Sequence, residues 1–216
     1  MWAIVPYKGI PSGKSRLAEH LDVNQRGLLS QAMLHDVLLA LTEASSLLGV
    51  IVSSPSKVAL EDVRIQGIEK FQDNGSTLAQ AITEAAKFAM EQFAARSTFI
   101  VPADIPLISS RDVDYAIGCH REVTIIPDDR EIGTNGLICT PPDAIEYVFD
   151  GKSFQPHKEA ALKVGIKPDA IQLPNMGHDI DTIFDLRTIM ELGKASKTAE
   201  IIRSHGLDAM LEASAS

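Results

Sequence analysis

Residues 98–109, TFIVPADIPLIS, place the tightest limit on the fold. The apolar run Phe99-Ile100-Val101 is stopped by Pro102, and one carboxylate, Asp104, follows before a second proline, Pro106. A short apolar run closed so abruptly reads as a central strand buried on both faces. Such strands belong to α/β sheets, whose ligands bind beyond the carboxyl ends of the strands, and Asp104 stands at that edge. The prolines stiffen the turn and leave the carboxylate few poses. An aspartate there also caps turns, so its role depends on what else reaches the same edge.

The remaining chain alternates between two periods. Apolar runs at 2–6, 50–52, 99–101, 122–127, 137–139 and 169–173 predict strands, with a weaker, edge-like strand at 63–71. Helical spacing predicts a long helix over 24–48, with Leu28, Leu29, Met33, Val37, Leu38 and Leu41 on its apolar side. Further helices are expected from near Lys57 and over 78–94, 111–119, 143–149, 155–164 and 184–192. No repeat, linker or low-complexity segment interrupts the alternation. The expectation is a single α/β domain over 1–216, three-layered, with a mostly parallel central sheet and helices on both faces. The amphipathic tail, 196–216, is expected to pack on this body or on another subunit, which keeps a homodimer open.

The formal net charge of -9 argues against nucleic acid and anionic membrane as partners, while a few local basic groups can still hold a small phosphorylated ligand. Cys119 and Cys139 match no zinc or redox spacing, which fits reduced thiols. Neither a signal peptide nor a transmembrane helix is expected, so the predicted location is cytoplasmic.

Basic residues gather after the first strand. The loop at 7–14, YKGIPSGK, carries Lys8 and Lys14, and Arg16 follows. Gly13-Lys14-Ser15 is not a P-loop, because only Ile10, Pro11 and Ser12 separate Gly9 from Gly13 where that motif needs four residues. The loop reads either as a solvated turn or, given an acidic protein, as an anion cradle. Ser53 and Ser54, at another strand end, suit contact with a base or sugar, or capping of the next helix. Gly75 suits close approach of the backbone to a ligand. Ser153 precedes a helix start, where free N–H groups attract anions. His35 reads as a packing or surface histidine, and His157 as structural or a loose phosphate contact, not a metal ligand.

Asp179 and Asp181 straddle Ile180, so in an extended segment both carboxylates share one face and repel unless a cation joins them. With Asp104 they make three hard oxygen donors of the kind magnesium takes alongside substrate phosphates. The alternative is that Asp181 caps the helix opened by Thr182. Together with the basic loop, the set fits phosphoryl or nucleotidyl transfer.

VPYKG and GKSRLA within 5–18, VPADIPLIS at 101–109, GTNGLICTPP at 133–142, GKSFQPHKEAALKVG at 151–165 and DIDTIFDL at 179–186 occur in this order. On these motifs the chain resembles the 2-phospho-L-lactate guanylyltransferase family, enzymes of coenzyme F-420 biosynthesis. The resemblance implies GTP as donor, pyrophosphate release and guanylation of 2-phospho-L-lactate, phosphoenolpyruvate or 3-phosphoglycerate. It implies that Lys8, Lys14 and Arg16 hold the nucleotide phosphates, with Ser53 and Gly75 as further nucleotide contacts. Magnesium would sit on Asp104, Asp179 and Asp181, and Lys14 and Asp104 would be the catalytic pair. Thr134, Asn135, Gly151 and Ser153 would hold the acceptor's phosphate and carboxylate. Two positions depart from the family pattern: Asp150 follows Phe149 where relatives place glycine, and Ala79 follows Leu78 where asparagine is common. Competing readings are a molybdopterin-type or sugar-phosphate nucleotidyltransferase, whose glycine-rich loop is missing at 7–11, and a non-catalytic nucleotide-binding domain.

Overall fold

In the computed structural model, which describes residues 1–9 and 15–207, the fourth strand, β4 (Thr98–Ile100), is fully buried at the middle of a seven-stranded sheet. The sheet order is β3-β2-β1-β4-β6-β5-β7. Its other strands are β1 (Trp2–Pro6), β2 (Gly49–Ser54), β3 (Ile68–Gln72), β5 (Val123–Pro127), β6 (Thr134–Cys139) and β7 (Asp169–Ala170). All neighbouring pairs run parallel except those made by β6, which is antiparallel to both β4 and β5. The reversal matters for the site. It brings the first residues of β6 to the edge where β1, β2 and β4 end.

Burial explains the layers. Ala3 and Val5 of β1 face one side, with Val37, Leu38 and Leu41 of α1 (Val23–Glu43) and Val113 and Ala116 of α4 (Ser110–Cys119). Ile4 faces the other, with Ile82, Ala85 and Ala89 of α3 (Leu78–Phe93) and Ala161 of α5 (Phe154–Lys163). Alternate residues of a strand point to opposite faces, so a sheet covered on both sides needs apolar residues at consecutive positions. A third cluster lies outside the sheet. Leu17, from a 3₁₀ turn at Ser15–Glu19, meets Leu29 and Met33 of α1, Leu186 and Ile189 of α7 (Asp185–Leu192), Ala199 and Ile202 of α8 (Lys197–Ser204), and Ile180 from the segment before α7. Two short helices, α2 (Lys57–Glu61) and α6 (Pro174–Gly177), complete the described elements.

Three expectations are corrected. The first helix stops at Glu43 because the next backbone N–H groups have another acceptor: the Asp114 carboxylate of α4 takes N–H bonds from Ser45 at 3.2 Å and Ser46 at 2.9 Å. Those bonds, that from Ser46 foremost, hold the Asp114 carboxyl below its usual range. Residues 143–149 form a turn and irregular backbone rather than a helix, with Ile145 and Tyr147 buried two apart. The edge strand begins at Ile68, after the left-handed turn at Gly67 (φ +78°). The C-terminal tail packs on the body of its own chain: the Asp36 carboxylate accepts N–H bonds from Lys197 and Thr198, both at 2.8 Å, and so fastens α8 to α1. Residues 208–216 of that tail lie outside the described residues. No described helix is long and apolar enough to cross a membrane.

Candidate active site

Beyond β4 the chain continues the ladder once, Val101 N–H donating to the Ile4 carbonyl at 3.0 Å, and then turns through the prolines to Asp104. The Asp104 carbonyl accepts the N–H of Ile180 at 3.0 Å. This bond ties the two carboxylate-bearing segments together. Ile180 is fully buried and Asp179 and Asp181 are half-buried, the alternation expected of an extended segment. Leu17 and Ile180 share the third apolar cluster. Their neighbours therefore meet above it, Arg16 Nη1 lying 3.2 Å from Asp181 Oδ2. Asp181 does not cap α7, whose N-cap is Phe184; instead Asp185 Oδ2 accepts N–H bonds from Asp181 at 3.0 Å and Thr182 at 2.6 Å. The aspartates gather at one place, yet no group of three or more His, Cys, Asp or Glu among the described residues is disposed to hold a metal ion. The expected three-carboxylate set is thus not preformed, and its Asp181 is paired with a guanidinium.

Ile180→Ala tests the anchor. Truncating a fully buried isoleucine costs about 2–5 kcal/mol. We expect a lowered denaturation midpoint, and turnover that falls further than the remaining folded fraction accounts for, because Asp179 and Asp181 lose their fixed pose.

Lys8, Ser53 and Gly75 come together around a cavity of about 180 Å³ at the ends of β1, β2 and β3. Lys8 is exposed and Ser53 buried. Gly75 is required by packing, since a Cβ there would lie 2.4 Å from the Ala81 nitrogen at the start of α3. Ser56 caps α2, accepting the Ala59 N–H at 3.2 Å, so Ser53 has no capping duty. Its hydroxyl donates instead to Asp73 Oδ2 at 2.6 Å. Asp73 also lines the cavity, a residue the sequence did not single out. Its signal was positional, an acidic residue directly after a strand. Lys14, expected to hold phosphate and take part in catalysis, lies outside the described residues.

At the other end of the edge, Thr134 and Asn135 open β6 and are both buried. Both Asn135 bonds from Nδ2 go to backbone carbonyls, of Met176 at 2.9 Å and Gly177 at 3.2 Å. It thereby anchors the turn that leads to Asp179, and only its carbonyl oxygen is left to face a ligand. Thr134 Oγ1 lies 3.0 Å from Nδ1 of His157, a buried residue of α5. His157 Nε2 accepts the Val148 N–H at 3.0 Å. An acceptor nitrogen carries no proton, so the imidazole proton resides on Nδ1 and is donated to Thr134. The threonine hydroxyl hydrogen is therefore left to donate elsewhere. Burial pushes the His157 pKa down to about 4, which keeps this arrangement neutral. Ser153 is buried at the start of α5 and makes no capping hydrogen bond. The Phe154 N–H donates to the Ile132 carbonyl at 3.0 Å, holding this turn beside the entry to β6. Gly151 is exposed with φ +87° and open space around it, so glycine is needed there for backbone conformation.

The guanylyl transferase CofC-like family model matches residues 1–216. The chain belongs to this family. It is 35% identical over 196 residues to phosphoenolpyruvate guanylyltransferase of Rubrobacter xylanophilus, covering 89% of this chain and 95% of that one. It is 31% identical over 213 residues to 2-phospho-L-lactate guanylyltransferase of Methanocaldococcus jannaschii, covering 96% and 90%. In fold it is similar to a nucleotide-diphospho-sugar transferase of Desulfovibrio desulfuricans G20, with TM-score 0.78, 18% identity and coverage of 98% and 96%.

Within this CofC-like guanylyl transferase the unusual Asp150 has a local account. Its Oδ1 accepts the Lys152 N–H at 3.0 Å and stabilises the turn before Ser153. The residue is exposed, so the added charge faces solvent.

Proposed function

We propose that this guanylyl transferase moves GMP from GTP to the phosphate of a small three-carbon acid, releasing pyrophosphate, in coenzyme F-420 biosynthesis. The observation that supports it most is the order of groups along one sheet edge. A cavity at the ends of β1–β3 suits the nucleoside, Arg16 and the aspartates follow at the β1/β4 boundary, and Thr134 and Ser153 stand beyond them. The β1/β4 boundary is where successive connections change direction, the usual ligand crevice of such sheets.

In this reading an oxygen of the acceptor phosphate attacks the α-phosphorus of GTP. A new phosphorus–oxygen bond forms as the bond to the bridging α–β oxygen breaks, and the electron pair leaves with pyrophosphate. The acceptor oxygen is already ionised, so no general base is needed; placement and charge neutralisation supply the rate. Lys8 and Arg16 meet the nucleotide phosphates, while the Thr134 and Ser153 hydroxyls orient the acceptor. Asp104, Asp179 and Asp181 offer hard oxygen donors fit for magnesium. A protein site of one or two carboxylates completed by phosphate oxygens is how that ion is usually held, so a preformed three-ligand cage is not required. Bound there, magnesium would neutralise phosphate charge. The free thiols Cys119 and Cys139 suit a cytoplasmic enzyme.

The test is a pyrophosphate-release screen of GTP, ATP and CTP against phosphoenolpyruvate, 2-phospho-L-lactate and 3-phosphoglycerate. Turnover with GTP and one of these acids is expected; turnover only with a sugar phosphate would remove the reading. Ser153→Ala is expected to raise the KM for the acid by about tenfold, the worth of one hydrogen bond to a charged group, and to leave the KM for GTP unchanged.

A further inference from the structure

We infer that Asp73 is the residue that selects guanine, its carboxylate accepting the N1–H and 2-amino hydrogens of the base. The inference rests on the reading of this edge as a GTP site. Asp73 follows β3 directly, and its backbone N–H is held by the Ser54 carbonyl at 3.1 Å. The side chain is only 2% exposed. Ser53 donates to Oδ2 at 2.6 Å, and Oδ1 is buried with no hydrogen-bond partner. A buried carboxylate oxygen left unpaired is costly, and such an atom marks a place where a ligand is expected to complete the hydrogen bonding. Asp73 lines the cavity of about 180 Å³ with Lys8, Ser53 and Gly75. The terminal torsion of an aspartate is broad, so a small rotation presents the unpaired oxygen to the cavity while Ser53 still holds the other.

The chemistry of a carboxylate narrows the ligand. It is acceptor-only when ionised, with two oxygens side by side. It is therefore satisfied by two adjacent N–H donors. Guanine offers these, N1–H beside the 2-amino group. Adenine and cytosine each place a ring acceptor next to their amino group, and uracil flanks its single N–H with carbonyls, so each sets lone pairs against the carboxylate. A site built around buried polar groups rejects ligands that leave them unpaired far more strongly than an apolar pocket does. The cavity wall is rigid where the base would lie, because Gly75 presses directly on the backbone of α3. Ser53 acts here as a positioning residue that orients the carboxylate.

The experiment is equilibrium binding of nucleoside triphosphates to the full chain, with no acceptor present, so that catalysis does not enter. Wild type is expected to bind ITP, which lacks only the 2-amino group, at least tenfold more weakly than GTP, and ATP more weakly still. This arm needs no variant; equal binding of GTP and ITP would overturn the inference. Asp73→Asn, checked for folding by its thermal transition, is expected to bind GTP at least tenfold more weakly. It should gain for XTP, whose 2-oxo group accepts from the asparagine amide. An unchanged GTP preference, or an equal loss for every nucleotide, would overturn the assignment. If wild type binds another nucleotide tightly and GTP not at all, the GTP reading itself fails, an outcome distinct from failure of Asp73 alone.

Discussion

Asp104→Asn is expected to lower pyrophosphate release by roughly 10³-fold, about 4 kcal/mol of transition-state stabilisation, with little change in the unfolding midpoint. The substitution keeps shape and removes charge. Asp104 is half-buried in a turn fixed from both sides, by the β4 ladder before it and by the Ile180 N–H on its own carbonyl. That backbone bond survives the change, so the turn should stay in place. In the proposed mechanism, what is lost is a negative oxygen where a cation and the phosphates of GTP would meet. Asp181→Asn should cost a similar factor and also release Arg16 from its ion pair, the two groups now lying 3.2 Å apart. The exposed pair contributes little to stability, so activity and folding should separate cleanly in both variants. Rates near wild type in folded Asp104→Asn, or full turnover after removal of divalent metal, would sink the proposed roles of the aspartates.

The two aspartate segments show what a sequence can and cannot display. β4 and Asp104 were legible because a buried strand closed by proline leaves a local mark. The spacing of Asp179 and Asp181 put both on one face of an extended segment, as the burial of Ile180 between them bears out. Their grouping with Asp104 was expected from the order of motifs, but the pairing of Asp181 with Arg16 was not legible, since it depends on Leu17 and Ile180 sharing a cluster, a contact between distant parts of the chain. The direction of β6 was equally hidden. A strand buried on both faces reads the same in either direction, yet its reversal is what carries Thr134 to the site edge. Residues 143–149 misled because a short segment dense in apolar residues satisfies either period. Ile145 and Tyr147 are buried two apart, not at helical spacing, and Val148 turns its N–H to His157. His157 reads in the sequence as structural or a loose phosphate contact, and its bond to Thr134 is visible only once α5 is packed against β6.

That histidine carries the second large expected effect. His157→Gln places an amide where Nε2 stood, so it can still accept the Val148 N–H, but it leaves Thr134 without the Nδ1 donor. His157→Asn does the reverse. If Thr134 orients the acceptor with its hydroxyl hydrogen, His157→Gln should raise the acceptor KM by about ten- to a hundredfold, because the freed hydroxyl can turn its hydrogen away from the ligand. His157→Asn should hold that KM within a few fold while losing about 1–3 kcal/mol of stability through the unsatisfied Val148 N–H. A merely structural histidine predicts the two variants to fail together, in step with their stability. The pH dependence separates them further. Folded His157 stays neutral down to about pH 4, while in the unfolded chain it binds a proton near 6.5. The unfolded state then holds more protons between those values, so stability rises with pH there. The full contribution is present above pH 6.5 and is lost as pH falls towards 4, on the order of 3 kcal/mol for a shift of that size. Both variants should flatten this part of the stability curve, since neither can take up the proton. Only His157→Gln should also weaken acceptor binding at pH 7.5, where His157 is neutral in both states and protonation plays no part.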